Sequence, residues 1–177
     1  KCTAIRRAFV PAKLIDAAEA ALKERLGKIV IGDPRAAPTQ LGTLVRLAQR
    51  DDVRGKIEEL SREARIVFGD PNKAEGKGAF MTPVLLRCDD PGKASRVHEM
   101  EPFGPVATLM PYRDISDAVT LVHPGQGSLV MSLFTYDPAV TREVVTGSGA
   151  FHGRLLIVDR DCAKESTGHG SPLPNLI

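Results

Sequence analysis

Two stretches of this chain carry residue types, at a spacing, that could do chemistry. Cys2 is followed by Thr3-Ala4-Ile5 and then by the pair Arg6-Arg7. Positive charge near a thiol favours the thiolate, the form of sulfur that attacks an electrophilic carbon. The second stretch is Glu99-Met100-Glu101-Pro102-Phe103-Gly104-Pro105. Two carboxylates, an aromatic ring and a Gly-Pro turn at the entrance to an apolar run suit a sugar-like group. A carboxylate accepts from vicinal hydroxyls while a ring packs on the sugar face. Each stretch also has a plainer reading. An isolated cysteine is commonly a small hydrophobe, and a loop entering a strand commonly carries solvated acids.

Other clusters offer less. Residues 147–153 (Gly-Ser-Gly-Ala-Phe-His-Gly) miss the G-x-G-x-x-G spacing by one place. They also follow a helical pattern, whereas a dinucleotide fingerprint needs a strand before it and a helix after it. Gly125-Gln126-Gly127 is a turn signal. His98, Glu99 and Glu101 lack a matching His or Cys, so no metal is expected. His152 and His169 read as structural or exposed, and Cys88 and Cys162 as incidental thiols. Three cysteines without C-x-x-C spacing argue against a disulfide framework or a zinc site. They fit a reducing compartment, with the cytoplasm as the expected location.

The elements that must position these residues emerge from the apolar periodicity. Residues 5–11 are β-rich. Residues 11–27 place Leu14, Ala18, Leu22 and Leu26 on one helical face, with Gly27 as a stop. Residues 28–32 are extended and 33–42 form a Pro-containing loop. A second helix is expected over 43–63, with Val53, Ile57, Leu60 and Ala64 turned inward, then a strand at 65–68 and an exposed loop at 69–78. Residues 80–87 are a strand candidate that Pro83 assigns to an edge or a bend. Strands at 106–112, 129–135 and 154–158 alternate with helices at 114–122, capped by Asp114 or Ser116, and 137–146, where Asp137 precedes Pro138. No periodicity remains from Pro172 on. Strands alternating with helices imply an α/β fold: a three-layer, open, mostly parallel sheet covered on both faces.

The 177 residues suffice for one domain with a real core. With 42% apolar and 26% charged residues, the composition is that of a folded protein. A net charge of +2, evenly spread, gives no reason to expect nucleic acid or an anionic membrane as partner. No apolar run reaches the roughly 20 residues of a membrane-spanning helix.

Taken in order, several motifs resemble the aldehyde dehydrogenase superfamily. They are Lys1-Cys2-Thr3-Ala4, Gly32-Asp33-Pro34, Thr82-Pro83, Glu101-Pro102-Phe103-Gly104-Pro105, Gly127-Ser128-Leu129, Leu133-Phe134-Thr135-Tyr136-Asp137 and Gly153. The set covers nearly the whole chain. Within the superfamily, residues 1–7, 103–111 and 163–174 look most like the bifunctional phenylacetate-degradation branch. Its members fuse an aldehyde dehydrogenase to a hydratase-like domain that opens oxepin-CoA, and they oxidise the resulting CoA-linked semialdehyde.

The resemblance implies a role for three residues. Cys2 would be the nucleophile, forming a thiohemiacetal and then a thioester, with its backbone N–H in the oxyanion hole. Glu101 would hold the nicotinamide-ribose hydroxyls of NADP or NAD, and Phe103 would pack beside that ribose. It further implies a cytoplasmic homo-oligomer acting on a small-molecule aldehyde. Two departures accompany it. Residues 165–174 replace the Pro-Phe-Gly-Gly turn common in the family. The family's general-base glutamate, oxyanion-hole asparagine and phosphate loop have no counterpart after Lys1. Residues 1–177 are therefore expected to be a catalytic-domain fragment, inactive alone, with the cofactor-binding domain and any C-terminal hydratase domain absent. A general or acylating semialdehyde dehydrogenase, or a non-catalytic oligomerisation piece, are the alternatives.

Overall fold

The computed structural model describes residues 2–73 and 76–162, which form two compact units. Of the described residues, one unit takes those within 5–112 and the other takes Cys2–Ala4 and 113–162. Lys1, His169 and the family-like stretch 163–174 lie outside the described residues.

The first unit is built on a four-stranded sheet in the order β1-β4-β3-β2. Its strands are β1 (Arg7–Pro11), β2 (Arg65–Phe68), β3 (Val84–Arg87) and β4 (Val106–Tyr112). β1 and β3 both run parallel to β4, while β2 closes the edge antiparallel to β3. Alternation along the strands sends side chains to opposite faces, and each face has its own core. Val84, Leu86, Val106 and Met110 pack with Val53, Ile57 and Leu60 of α2 (Leu47–Leu60). On the other face, Leu85 and Leu109 meet Ile15, Leu22 and Leu26 of α1 (Ile15–Leu26). This unit is thus a helix–sheet–helix sandwich, the three-layer α/β arrangement expected from the alternating pattern. Outside the apolar layer, the Arg87 guanidinium joins α1 to the sheet through Asp16 at 2.5 Å and Glu19 at 3.0 Å, and also pairs with Asp89 at 2.5 Å.

Three local expectations change. Leu14, expected on the inner face of the first helix, is exposed, and Ile15 is buried instead. A 3₁₀ turn over Ala12–Leu14 precedes α1, and its tighter winding shifts the phase of the apolar stripe. The second helix begins at Leu47 rather than 43 because the backbone before it is bonded elsewhere. The Leu44 N–H donates to the Ala79 carbonyl at 3.0 Å and the Val45 N–H to Gln49 Oε1 at 3.1 Å. The strand expected over 80–87 begins only at Val84 and lies in the interior of the sheet, not at an edge. Pro83 stands just outside it, where no ladder N–H is required.

In the second unit, β5 (Ser128–Phe134) and β6 (His152–Val158) pair in parallel. α5 (Pro138–Ser148) makes the crossover between them, and α4 (Ile115–Val122) precedes the pair. Both helix starts use capping residues anticipated from sequence. Asp114 accepts from the Asp117 N–H and Asp137 from the Ala139 N–H, each at 2.8 Å. A side chain at Gly147 would come within 2.6 Å of a Val119 methyl, so α4 and α5 touch closely there.

The connection from β2 into the loop at 69–73 depends on one glycine. Gly69 has φ +84°, and a Cβ there would lie 2.0 Å from the Pro83 carbonyl oxygen. Gly69→Ala combines left-handed strain with a backbone clash and is expected to cost at least roughly 1–3 kcal/mol. The readout is a lowered urea midpoint at unchanged slope. An unchanged midpoint would contradict this packing.

Candidate active site

Glu101 sits just beyond a short helical turn, α3 (Arg96–Glu99), whose start is held by a carboxylate from elsewhere in the chain. Glu63 accepts from the Ser95 N–H at 3.1 Å and the Val97 N–H at 3.2 Å, and pairs with Arg96 at 3.4 Å. Burial would raise the Glu63 carboxyl, but these donors outweigh it and hold it below the usual carboxylate range. At Met100 the backbone turns extended, and Pro102-Phe103-Gly104-Pro105 folds into the entrance of β4. The Gly104 N–H bonds the Pro102 carbonyl at 2.9 Å, and the Val84 N–H bonds the Pro105 carbonyl at 2.8 Å. A Cβ on Gly104 would meet the Val53 methyls at 2.8 and 2.9 Å, so the turn lies directly on α2. Gln49 of α2 donates to the Phe103 carbonyl at 2.7 Å.

This turn presents two groups outward. The Glu101 side chain is 51% exposed and the Phe103 residue 45%. The turn thus presents an accessible carboxylate, which accepts hydrogen bonds, two residues from an accessible aromatic ring.

Beneath the turn lies a cationic pair from the start of β1. The Arg6 carbonyl accepts from the Thr108 N–H at 2.8 Å, which places Arg6 in line with the entrance to β4. Its guanidinium donates to the carbonyls of His98 at 2.7 Å and Met100 at 3.2 Å, and pairs with Glu101 Oε1 at 3.2 Å. Arg7 reaches His98 Nδ1 at 3.1 Å. A guanidinium has only donors, so Nδ1 must accept. The Nε2–H then donates to the Pro91 carbonyl at 2.8 Å. His98 is fully buried and neutral in this arrangement. Burial pushes its pKa down, and the two arginines add to the effect. Burial, with Arg6 alongside, likewise brings Arg7 down to about 10.

Glu101 and Phe103, proposed from sequence as one platform, do share one turn of the first unit. Cys2 is exposed, lies in a turn, and is grouped with the second unit. Of the other two thiols, Cys88 differs from it and Cys162 shares its exposure. Cys88 is buried, and burial pushes its thiol up, away from nucleophilic use. Cys162 is exposed in a turn closed by Asp159, which accepts from the Cys162 N–H at 2.8 Å. Sequence reasoning missed Gln49, the anchoring of Arg6 and the role of His98. The adjacency of Arg6-Arg7 to Cys2 was the one signal pointing to the arginines. Among the described residues, no three His, Cys, Asp or Glu side chains gather as for a metal, and no helix is long and apolar enough to cross a membrane.

Residues 1–153 match the aldehyde dehydrogenase family, and the chain belongs to it. A 3,4-dehydroadipyl-CoA semialdehyde dehydrogenase of Aromatoleum evansii is 39% identical over 100% of this chain, covering 36% of that protein. Protein MaoC of Klebsiella aerogenes is 43% identical over 77% of the chain and 41% of its own length. The chain therefore spans roughly two fifths or less of these relatives. Among solved structures, a C-to-A mutant of aldehyde dehydrogenase C from Pseudomonas syringae, complexed with NAD+ and octanal, is 26% identical. It superposes with a TM-score of 0.78 over 89% of this chain and 32% of that one.

The buried neutral His98 has a pH signature. Its folded-state pKa lies below the ordinary 6.5, so at acid pH the unfolded chain takes a proton that the folded chain resists. The stability it permits is complete above pH ~6.5 and declines as pH falls below that value. The carboxylates held low, such as Glu63 and Asp89, act in the same direction but at lower pH. Denaturant titrations at pH 7.5 and 5.5 are expected to show a loss of stability that His98→Gln reduces. An identical loss in the variant would contradict a neutral buried imidazole.

Proposed function

We propose that this chain is the cysteine-bearing catalytic part of a longer NAD(P)-dependent aldehyde dehydrogenase that oxidises a CoA-linked semialdehyde to the acid. Family membership supports the reaction class. The substrate class is supported by the semialdehyde dehydrogenase that is 39% identical over the whole chain. The observation that carries the cofactor assignment is the half-exposed Glu101 carboxylate beside the exposed Phe103 ring on one braced turn.

Cys2 is the nucleophile. Its thiolate donates an electron pair to the aldehyde carbon, forming the C–S bond, while the carbonyl π pair moves to oxygen. The backbone N–H of Cys2 stabilises that oxyanion. The nicotinamide, when bound, supplies the two-electron acceptor that oxidises the sulfur-bound carbon to a thioester. Water then cleaves the C–S bond, releasing the carboxylic acid and returning the thiol. Glu101 accepts from the ribose hydroxyls and Phe103 covers the ribose face, fixing the donor–acceptor distance on which the transfer depends. The family resemblance also supports a cytoplasmic homo-oligomer.

The chain contributes a nucleophile and part of a cofactor grip, and its matches cover only 36% and 41% of the two relatives. The 177 residues alone are expected to show no NAD(P)-dependent turnover. In the full-length protein, Cys2→Ala is expected to lower kcat by at least about 10³-fold. Glu101→Gln is expected to weaken cofactor affinity on the order of 10-fold, as for loss of a charge-assisted hydrogen bond. Steady-state kinetics with a CoA-linked and a free aldehyde, together with cofactor titration, provide the check. Retained kcat in Cys2→Ala would remove the nucleophile assignment. Unchanged cofactor affinity in Glu101→Gln would remove the ribose assignment.

A further inference from the structure

We infer that Arg6 is a positioning residue for the cofactor, setting the Glu101 carboxylate in the orientation that accepts the ribose hydroxyls. The inference rests on the cofactor reading of Glu101 given above and adds a residue to it. A half-exposed glutamate has three side-chain torsions and, left alone, is spread over several staggered rotamers, so ordering it on ligand binding costs affinity. Arg6 reduces that freedom. Its Nε lies 3.2 Å from Oε1 of Glu101. The two carboxylate oxygens together offer about four acceptor sites. Acceptor capacity therefore remains for vicinal hydroxyls.

Arg6 can hold Glu101 in place because it is itself fixed. Its side chain is only 15% exposed, against 51% for its partner. Nη1 is occupied by the His98 and Met100 carbonyls, and the backbone of Arg6 is bonded to β4. A planar fork that satisfies two carbonyls and a carboxylate at once is particular to arginine. A lysine would keep the charge but present one compact donor group. Burial disfavours the Arg6 charge, and the adjacent Glu101 carboxylate opposes part of that penalty.

The competing role for Arg6 is purely structural: tying β1 to the carbonyls at 98 and 100, with Glu101 incidental. A double-mutant cycle in the full-length enzyme separates the two. Cofactor Kd and kcat at saturating cofactor are measured for Arg6→Gln, Arg6→Lys, Glu101→Gln and the two double variants. Positioning predicts that Arg6→Gln raises the cofactor Kd roughly 3- to 10-fold, the range of a partly buried charge pair, with kcat altered much less. Arg6→Lys should rise less. In the Glu101→Gln background, neither Arg6 change should add anything.

An Arg6→Gln effect of the same size with and without Glu101 would overturn positioning in favour of the structural role. An unchanged Kd in Arg6→Gln, while Glu101→Gln raises it, would overturn the inference and leave the ribose assignment standing. An unchanged Kd in Glu101→Gln would overturn both. Should Arg6→Gln fail to fold, the Arg6→Lys and Arg6→Lys/Glu101→Gln pair reads the same coupling.

Discussion

The parallel pairing of β1 with β4 is the constraint on which the first unit's candidate site depends. Arg7 lies opposite Thr108, and the Thr108 N–H is bonded to the Arg6 carbonyl. Parallel strands begin at the same end, so the residues preceding them meet. That brings Arg6 and Arg7 to segment 98–101, more than ninety positions away in sequence. β1 is five residues long. Reversing it would carry the arginines the length of the strand, about 16 Å, and no guanidinium would reach Glu101. The contact between the two chemically distinctive stretches of the sequence is a consequence of strand direction.

That register is in turn held by apolar layers on both faces of the sheet. β3 and β4 are the interior strands, and their alternate residues feed two cores, one with α2 and one with α1. The polar groups near this region are matched rather than excluded. His98 is buried with both ring nitrogens bonded, and Glu63 satisfies the N–H groups at the start of α3. A buried polar group with its partners in place fixes one geometry, whereas an apolar substitute would permit several. The turn bearing Glu101 and Phe103 is thereby braced while both side chains stay accessible.

Much of this was legible in the sequence because the signals were local. The inner face Val53, Ile57, Leu60, Ala64 is buried as its spacing requires, and the Asp137-Pro138 helix start was readable from two residues. Strands β2 and β4 fall at the expected 65–68 and 106–112. What could not be read were effects of tertiary partners. The 3₁₀ turn that exposes Leu14, the bonds of residues 44 and 45 that delay α2, and the interior place of β3 despite Pro83 all involve non-local bonds or winding that periodicity does not encode. At the site, Glu101 and Phe103 announced themselves by type and order. Gln49, 54 residues from Phe103, and Arg6, at the opposite end of the first unit's sequence from Glu101, became visible only in three dimensions.

The chemistry ascribed to the chain requires one covalent event, acylation of the sulfur at position 2. Cys88 is withdrawn from that role by burial, and Cys162, the other exposed thiol, supplies an internal comparison. The direct measurement is acid quench of the full-length enzyme during its first turnover with cofactor and a CoA-linked semialdehyde, followed by mass spectrometric mapping of the acyl group. A substoichiometric acyl thioester is expected on the peptide containing Cys2 and on neither other cysteine. Product formation with the acyl group on Cys162, or on no cysteine at any quench time, would contradict it.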